Sequence, residues 1–371
     1  MERVKILFFI EELRAGGAEK VLCNLVNEMD QNRFDVTVQT LWKADAEKYL
    51  KPGVRYRYCY GENNRINSLL CRAETAAGLT YRFHIKGDYD IEVAYLECGA
   101  TKIMATSTNK KSKKIAWVHC DLALKVSDPQ AFVEKAAKWY AKYDRVVCVS
   151  QTALESFRSL FGMDQKTLVL YNTVDDAAIR EKALLQIPRC ASKRRTTVVS
   201  VGRLSKEKCF DRLLRVHRQL LDGGAAHDLW ILGDGPEREM LSQMIADLHV
   251  EDSAKLVGYC ENPYPYMADA DLLVCSSRYE GLSTFVTEGL ILGKPVVTTR
   301  CSGMDELLGD SEYGLITENS EEALLEGMRT MLRDACLRER YAARSAERGR
   351  DFSARQLTEK TERFFLNILE D

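Results

Sequence analysis

Short apolar runs alternate with helix-patterned stretches along nearly the whole chain. The runs at 4–10, 34–40, 91–95, 114–118, 145–149 and 168–170 have the length and β-branched content of buried strands. Between most of them apolar residues recur every three or four positions, notably over 18–29 and 129–143, as expected of helices. A polar, basic join around Arg189 to Arg195 interrupts this rhythm. It restarts at 197–201 and continues through 229–232, 255–257, 272–275 and 296–298. Alternating β and α segments predict parallel sheets covered by helices on both faces, and the interruption predicts two of them. Ligands of such sheets sit beyond the carboxyl ends of the strands. The last stretch, 352–369, carries Leu357, Phe364, Phe365 and Ile368 at helical spacing.

Composition narrows the class. A length of 371 residues suits two domains, and 46% hydrophobic with 29% charged residues describes a folded chain without a sizeable disordered part. No apolar run approaches the roughly 18–20 residues of a membrane span. The apolar start runs directly into Glu11 and Glu12, so it reads as a first strand rather than a signal peptide. The twelve cysteines show no CxxC spacing, and Cys23, Cys148 and Cys275 sit singly in apolar segments. That pattern predicts reduced, buried thiols in a cytoplasmic protein and no metal site. The net charge of −2 conceals an asymmetry: up to Ala177 there are 26 Lys and Arg against 23 Asp and Glu, and beyond it 27 against 32. The basic excess has a focus at Lys110, Lys111, Lys113 and Lys114. The plain reading is a solvated loop; the functional one is contact with anionic lipid headgroups or a phosphorylated acceptor. A net negative chain without a recognisable module is no candidate for nucleic-acid binding.

The densest chemical signal is RYEGLSTFVTEGLILGKPVVTT, residues 278–299. Glu280 lies in a short polar loop, Gly281, Leu282 and Ser283, and a helix is predicted from Thr284 to residue 292, with Gly293 as its stop signal. Ser283 is the predicted N-cap, which puts Glu288 just over one turn into the helix. Free backbone N–H groups at that helix start favour an anion such as phosphate, and two carboxylates nearby suit vicinal hydroxyls. An anion cradle flanked by two diol-binding groups is what a sugar nucleotide requires. The plain alternative is two surface glutamates on an amphipathic helix.

Other candidates also follow predicted strands. Gly16 and Gly17 open a helix after the first strand, where backbone amides can approach a ligand closely; the spacing is not GxGxxG. Arg203 and Lys208 follow the strand at 197–201 and are candidates to converge on a diphosphate. His119 ends the strand at 114–118, a position suited to a substrate contact. The turn LGDGPE, 232–237, reads as structural. Paired carboxylates also serve glycoside hydrolases, but those need no cationic diphosphate grip. No P-loop, nucleophile elbow or metal-binding aspartate pair is present.

Together GGAE (16–19), WVHCD (117–121), YNTVD (171–175), VGRLSKEK (201–208), LGDGPERE (232–239) and the paired-glutamate block ending KPVVTTRCSGMDELLG resemble family 4 of the retaining glycosyltransferases, over nearly the whole chain. The resemblance implies α/β architecture of the GT-B type: two facing Rossmann-like domains, 1–180 and 181–351, with a C-terminal helix, 352–371, crossing back to the first. It implies that Glu288 holds the nucleotide ribose, Glu280 the donor-sugar hydroxyls, and Arg203 and Lys208 the diphosphate. Gly16, Gly17 and the loop Gly281, Leu282, Ser283 and Thr284 then line phosphates and sugar, while His119 approaches the transferred sugar. It further implies a nucleotide-sugar donor, a UDP-sugar, and a saccharide or lipid-linked acceptor at the cytoplasmic membrane face. No cofactor is implied. The leaving phosphate assists the incoming hydroxyl on one face, so no enzyme nucleophile is needed. Cys209 and Thr173 depart from glycines common in the family. A GT-B nucleotide-sugar epimerase and a catalytically silent binding protein are the alternatives.

Overall fold

The computed structural model describes residues 2–13, 16–126, 128–186 and 195–370. The chain divides into two compact units, Met1–Val174 with Ala354–Asp371, and Asp175–Ser353. The division falls at Val174 rather than 180 because Asp175 caps the helix Asp176–Ala183, its carboxylate accepting from the Ala178 N–H at 2.9 Å. That helix packs against Tyr264–Asp269 and Thr284–Ile291 of the second unit. Apart from Arg195, the basic join at 189–195 lies outside the described residues.

The first unit holds a seven-stranded sheet of β1 (Val4–Ile10), β2 (Phe34–Trp42), β3 (Arg55–Tyr60), β4 (Ile91–Ala94), β5 (Lys113–Val118), β6 (Arg145–Cys148) and β7 (Thr167–Val169). Its order is β3-β2-β1-β4-β5-β6-β7, parallel throughout. The second holds β8 (Thr196–Val201), β9 (His227–Leu232), β10 (Ala254–Gly258), β11 (Leu272–Cys275), β12 (Val296–Thr299) and β13 (Leu315–Thr317), in the parallel order β10-β9-β8-β11-β12-β13. Helices cover both faces, so central strands such as β1 are apolar at consecutive positions: Ile6, Leu7, Phe8, Phe9 and Ile10 are all buried. In each sheet the strand order reverses once, between β1 and β4 and between β8 and β11. Those reversals are where a doubly wound sheet opens a crevice for a ligand.

Two strands escape the apolar pattern. β3 is an edge strand reading RYRYCY, largely exposed, and its charged alternation carries no apolar run. β13 is only three residues long. The last helix, Ala354–Glu370, belongs to the first unit and packs against the helix Gly17–Glu28. Phe365 is fully buried, its ring centroid 5.9 Å from Phe8 and 6.4 Å from Trp117. Such burial is worth about 2–3 kcal/mol. Glu362 adds direction: its carboxylate accepts from the Asp30 backbone N–H at 2.7 Å and faces Arg33 at 3.6 Å. Every cysteine among the described residues is a free thiol. Among the described residues no helix is long and apolar enough to cross a membrane.

Candidate active site

The strand-order reversal of the second unit brings together two of the residues singled out from sequence. The loop after β8 runs through Gly202 and Arg203 into a short 3-10 turn, Lys206–Lys208, before the helix Phe210–Asp222. The loop after β11 carries Ser276, Ser277 and Glu280. Lys208 Nζ lies 2.6 Å from Glu280 Oε1, and the Ser277 hydroxyl donates to the same oxygen at 2.6 Å. Both side chains are largely withdrawn from solvent, with 23% and 13% exposure. Burial disfavours the Lys208 ammonium, but the adjoining Glu280 carboxylate outweighs it and raises the Lys208 pKa. The ammonium therefore stays charged at any physiological pH. Behind the pair, a cavity of about 10 Å³ touches Ser200, Cys275, Ser277 and Phe285. That is room for roughly one water molecule.

The scaffold around the pair is tied by backbone and buried side chains. The Arg278 N–H donates to Glu207 O at 2.7 Å, and the Ser276 hydroxyl donates to Lys208 O at 2.8 Å. Arg212, buried on the helix Phe210–Asp222, donates to Ser276 O at 2.7 Å and to Asn319 Oδ1 at 2.8 Å. Asn319 in turn donates to Arg278 O and Arg300 O, each at 3.0 Å. The turn after β9 braces the β8 loop from the other side. A Cβ at Gly233, whose φ is +141°, would meet Gly202 O at 1.9 Å, and one at Gly235 would meet Leu204 O at 2.4 Å. The LGDGPE glycines therefore serve close backbone packing. Cys209 holds φ +50° as the N-cap of the helix Phe210–Asp222, a left-handed position that explains why glycine is common there. Thr173 is not among the residues with positive φ.

Arg203 is exposed, and its guanidinium has no acidic partner among the described residues. Helix Thr284–Ile291 starts at Ser283, whose hydroxyl accepts from the Val286 N–H at 3.4 Å. Gly281, Leu282 and Ser283 are buried and Thr284 is partly so. Gly303, at φ +80°, lies so close to Gly281 O that a Cβ would meet it at 2.6 Å. Seven of the eight helix residues are buried, so the amphipathic surface-helix reading fails. Glu288 has 4% exposure and accepts from the Tyr264 hydroxyl at 3.3 Å. A carboxylate so placed costs free energy unless hydrogen bonds satisfy it.

In the first unit the corresponding strand ends hold a second polar group. Gly16 caps the helix Gly17–Glu28 with an ordinary negative φ, and a Cβ at Gly17 would meet nothing within 4 Å. His119 follows β5. Its backbone N–H donates to Glu97 Oε2 at 3.0 Å, its ring lies 4.8 Å from that of Tyr95, and its Nε2 is buried with no hydrogen-bond partner. Burial lowers the His119 pKa to about 4 against the opposing pull of Glu97, so the ring is neutral at pH 7. Glu97 also accepts from Lys125 at 2.5 Å and from the Cys120 thiol at 3.2 Å. Burial favours the protonated acid, yet Lys125 and His119 together hold its pKa down at about 2. The next residue, Cys98, has φ +67° and ψ −103°, a strained conformation at the start of the helix Gly99–Met104. Sequence reading missed Glu97, Tyr264 and Arg212. Only Glu97 carried a signal, a carboxylate just past a strand's carboxyl end.

Comparison with known proteins agrees with this geometry. The family model described as Glycosyl transferases group 1 matches residues 188–348, and the one described as Glycosyltransferase Family 4 matches residues 15–178. One match falls on each unit, both models describe glycosyltransferases, and the fold of two parallel-sheet α/β units is of the GT-B kind. It is 34% identical over 216 residues to a Campylobacter jejuni enzyme named N-acetylgalactosamine-N,N'-diacetylbacillosaminyl-diphospho-undecaprenol 4-alpha-N-acetylgalactosaminyltransferase, 57% of each chain. It is 22% identical over 361 residues to the amylovoran biosynthesis glycosyltransferase AmsD of Erwinia amylovora, 96% of this chain and 98% of that one. The matches to the first two curated relatives span only 57% and 63% of their lengths. Among solved structures, Anabaena Alr3699/HepE in complex with UDP-glucose aligns at a TM-score of 0.79 and 20% identity, covering 98% of this chain and 100% of that chain. Sucrose-phosphate synthase from Thermosynechococcus elongatus aligns at 0.83 and 15%, covering 99% and 100%.

Proposed function

We propose that this chain is a retaining glycosyltransferase that moves a sugar from a UDP-sugar to a hydroxyl of a saccharide or lipid-linked saccharide. The setting is cell-surface polysaccharide synthesis, of the capsule kind, in the cytoplasm with peripheral contact to an anionic membrane. The observation that carries this reading is the Lys208–Glu280 pair at the strand-order reversal of the second unit. An incoming diphosphate competes with Glu280 for the Lys208 ammonium. Glu280, still held by Ser277, then has a free oxygen for donor-sugar hydroxyls. As the nucleoside diphosphate departs, Lys208 and the exposed Arg203 offset its growing charge. Glu288 takes the ribose hydroxyls. For His119, Gly16 and Gly17 the assignment to sugar and phosphates rests on the family resemblance. A UDP donor is supported by UDP-glucose in the Anabaena structure, and a lipid-linked acceptor by the Campylobacter enzyme's name.

The test is product analysis with a panel of UDP- and GDP-sugars, with and without acceptor, in excess EDTA. Transfer should survive EDTA, and the anomeric NMR coupling constant should show the donor's α linkage retained. An inverted product refutes the retaining mechanism, and rescue by magnesium or manganese after EDTA refutes metal independence. A converted donor sugar without transfer identifies an epimerase instead.

A further inference from the structure

The strand-order reversal of the first unit gathers three chemistry-bearing residues at one edge of its sheet. Glu11 follows β1, Glu97 lies just past β4 and His119 follows β5, and these strands are neighbours in the order β1-β4-β5. A carboxylate withdrawn from water needs hydrogen-bond donors, and the two here are served unequally. Glu97 is buried and already accepts from Lys125, from the His119 backbone N–H and from the Cys120 thiol. Glu11 is half-buried, and among the described residues one donor serves its carboxylate, the Ala100 backbone N–H. A carboxylate offers about four acceptor positions, so most of those on Glu11 are unfilled.

The backbone around Glu11 is shaped to admit that side chain. Gly99 opens the helix Gly99–Met104, and a Cβ there would meet Glu11 Oε1 at 2.0 Å and Cδ at 2.8 Å. The glycine leaves the space that the carboxylate fills, and the strained Cys98 immediately before it sets the turn. Burial raises the Glu11 pKa against the pull of the Ala100 N–H; Glu12 and Glu97 add to the rise, and Lys125 opposes it. Charge then decides the ligand. Glu11 and Glu97 outnumber Lys125, so the crevice is net negative; it repels a phosphate and favours an uncharged hydrogen-bond donor such as a hydroxyl. Capping the helix explains the Ala100 contact but leaves the other lone pairs of Glu11 without a donor.

We infer that Glu11 contacts the acceptor, its carboxylate taking a hydrogen bond from a saccharide hydroxyl in the crevice between β1 and β4. Glu97, already satisfied, holds Lys125 and the His119 strand end in place. The inference rests on the transferase reading, and it assigns this crevice to the uncharged, hydroxyl-bearing part of the acceptor rather than to any phosphate it carries.

Initial-rate kinetics of the full chain test it, with UDP-glucose, UDP-galactose and their N-acetylamino counterparts as donors. The acceptor probes are the methyl glycosides of the same sugars and a polyprenyl-diphosphate-linked N-acetylhexosamine. Glu11→Gln keeps an oxygen for the Ala100 N–H and loses the charge. It should lower kcat/KM for the acceptor by about tenfold to a hundredfold, the scale of a hydrogen bond to a charged group, while KM for the donor holds. Gly99→Ala probes the same geometry with the charge intact: its methyl displaces the flexible end of Glu11 and nothing in the backbone, so the acceptor defect should reappear in a chain of unchanged thermal unfolding. Glu12→Gln, one residue further on, should transfer at the parent's rate. The inference is overturned if either Glu11→Gln or Gly99→Ala keeps the parent's kcat/KM for the acceptor. It is overturned too if Glu11→Gln loses thermal stability and slows donor hydrolysis by water as much as transfer, the mark of a helix cap. Donor hydrolysis without use of any acceptor probe also overturns it. Neither hydrolysis nor transfer with any donor would strike the transferase reading itself, and this inference with it.

Discussion

Neutralising Glu280 should separate two ligands that a simple binding site would treat alike. Glu280 occupies Lys208 at 2.6 Å. At an effective dielectric near 20 the gross attraction at that distance is about 6 kcal/mol. Desolvation of two side chains that keep some exposure offsets most of it, leaving a coupling of about 1–3 kcal/mol. In Glu280→Gln, the amide oxygen retains the Ser277 hydrogen bond but no longer holds the ammonium. UDP, which needs Lys208 and makes no sugar contact, should bind as well as to the parent or up to about tenfold tighter, since 1.4 kcal/mol of released competition is tenfold. The intact UDP-sugar loses its charged hydroxyl acceptor, at about 1.5–3 kcal/mol, and should bind more weakly. Titration calorimetry with both ligands reads the two signs. Urea denaturation of Lys208→Met, Glu280→Gln and the double variant gives the coupling itself. Parallel losses for UDP and UDP-sugar would refute competition, and additive stabilities within about 0.5 kcal/mol would show that the pair has no energetic content.

The remaining expectations concern other groups. Glu288→Ala should weaken UDP itself by about 1.5–3 kcal/mol in calorimetry; unchanged UDP binding would remove Glu288 from the ribose. Glu97→Gln keeps an acceptor for the His119 N–H but removes the charge that opposes burial, so the His119 pKa should fall further below 4 and kcat should drop with donor KM retained. An unmoved His119 resonance in an NMR titration would show that Glu97 does not act through it. His217 and His227 are fully buried 2.8 Å apart; burial together with the neighbouring His227 pushes the His217 pKa down to about 3, and burial lowers that of His227 too. Unfolded histidines titrate near 6.5, so the chain's full stability is present above that pH. For His217 it is lost by about 1.4 kcal/mol per pH unit as pH falls toward 3, and His227 contributes a loss in the same direction. Denaturation from pH 7.5 to 4.5 should show a shallower loss in His217→Gln, and an equal slope would contradict the assignment.

The sheets were legible because their central strands are buried on both faces and so read as unbroken apolar runs, as in β1 and β11. β3 was not, because an edge strand solvates one side and RYRYCY reports that solvation rather than a core. The candidate site residues were legible where a charged residue stands in a strand-end loop, as with Glu280 and Lys208. What sequence could not supply is who holds whom. Spacing placed Glu280 beside a helix start, but its pairing with Lys208, 72 residues away, depends on the strand order that sets β8 next to β11. The same holds for Glu97, 22 residues before His119 yet joined to it across neighbouring strands β4 and β5. Tyr264 and Arg212 carry ordinary helix positions in the sequence, and only packing turns them toward Glu288 and Ser276.

The most direct test of the central claim is the rate of sugar transfer from a UDP-sugar to acceptor in excess EDTA, measured for the parent and for Lys208→Met at matched folded fraction. The account predicts metal-independent transfer by the parent, with the α linkage retained, and a fall of about 100-fold or more in the variant, the scale of losing one charge-stabilising donor at the leaving group. A variant that transfers at the parent's rate would contradict it, because Lys208 would then play no part in the departure of the diphosphate.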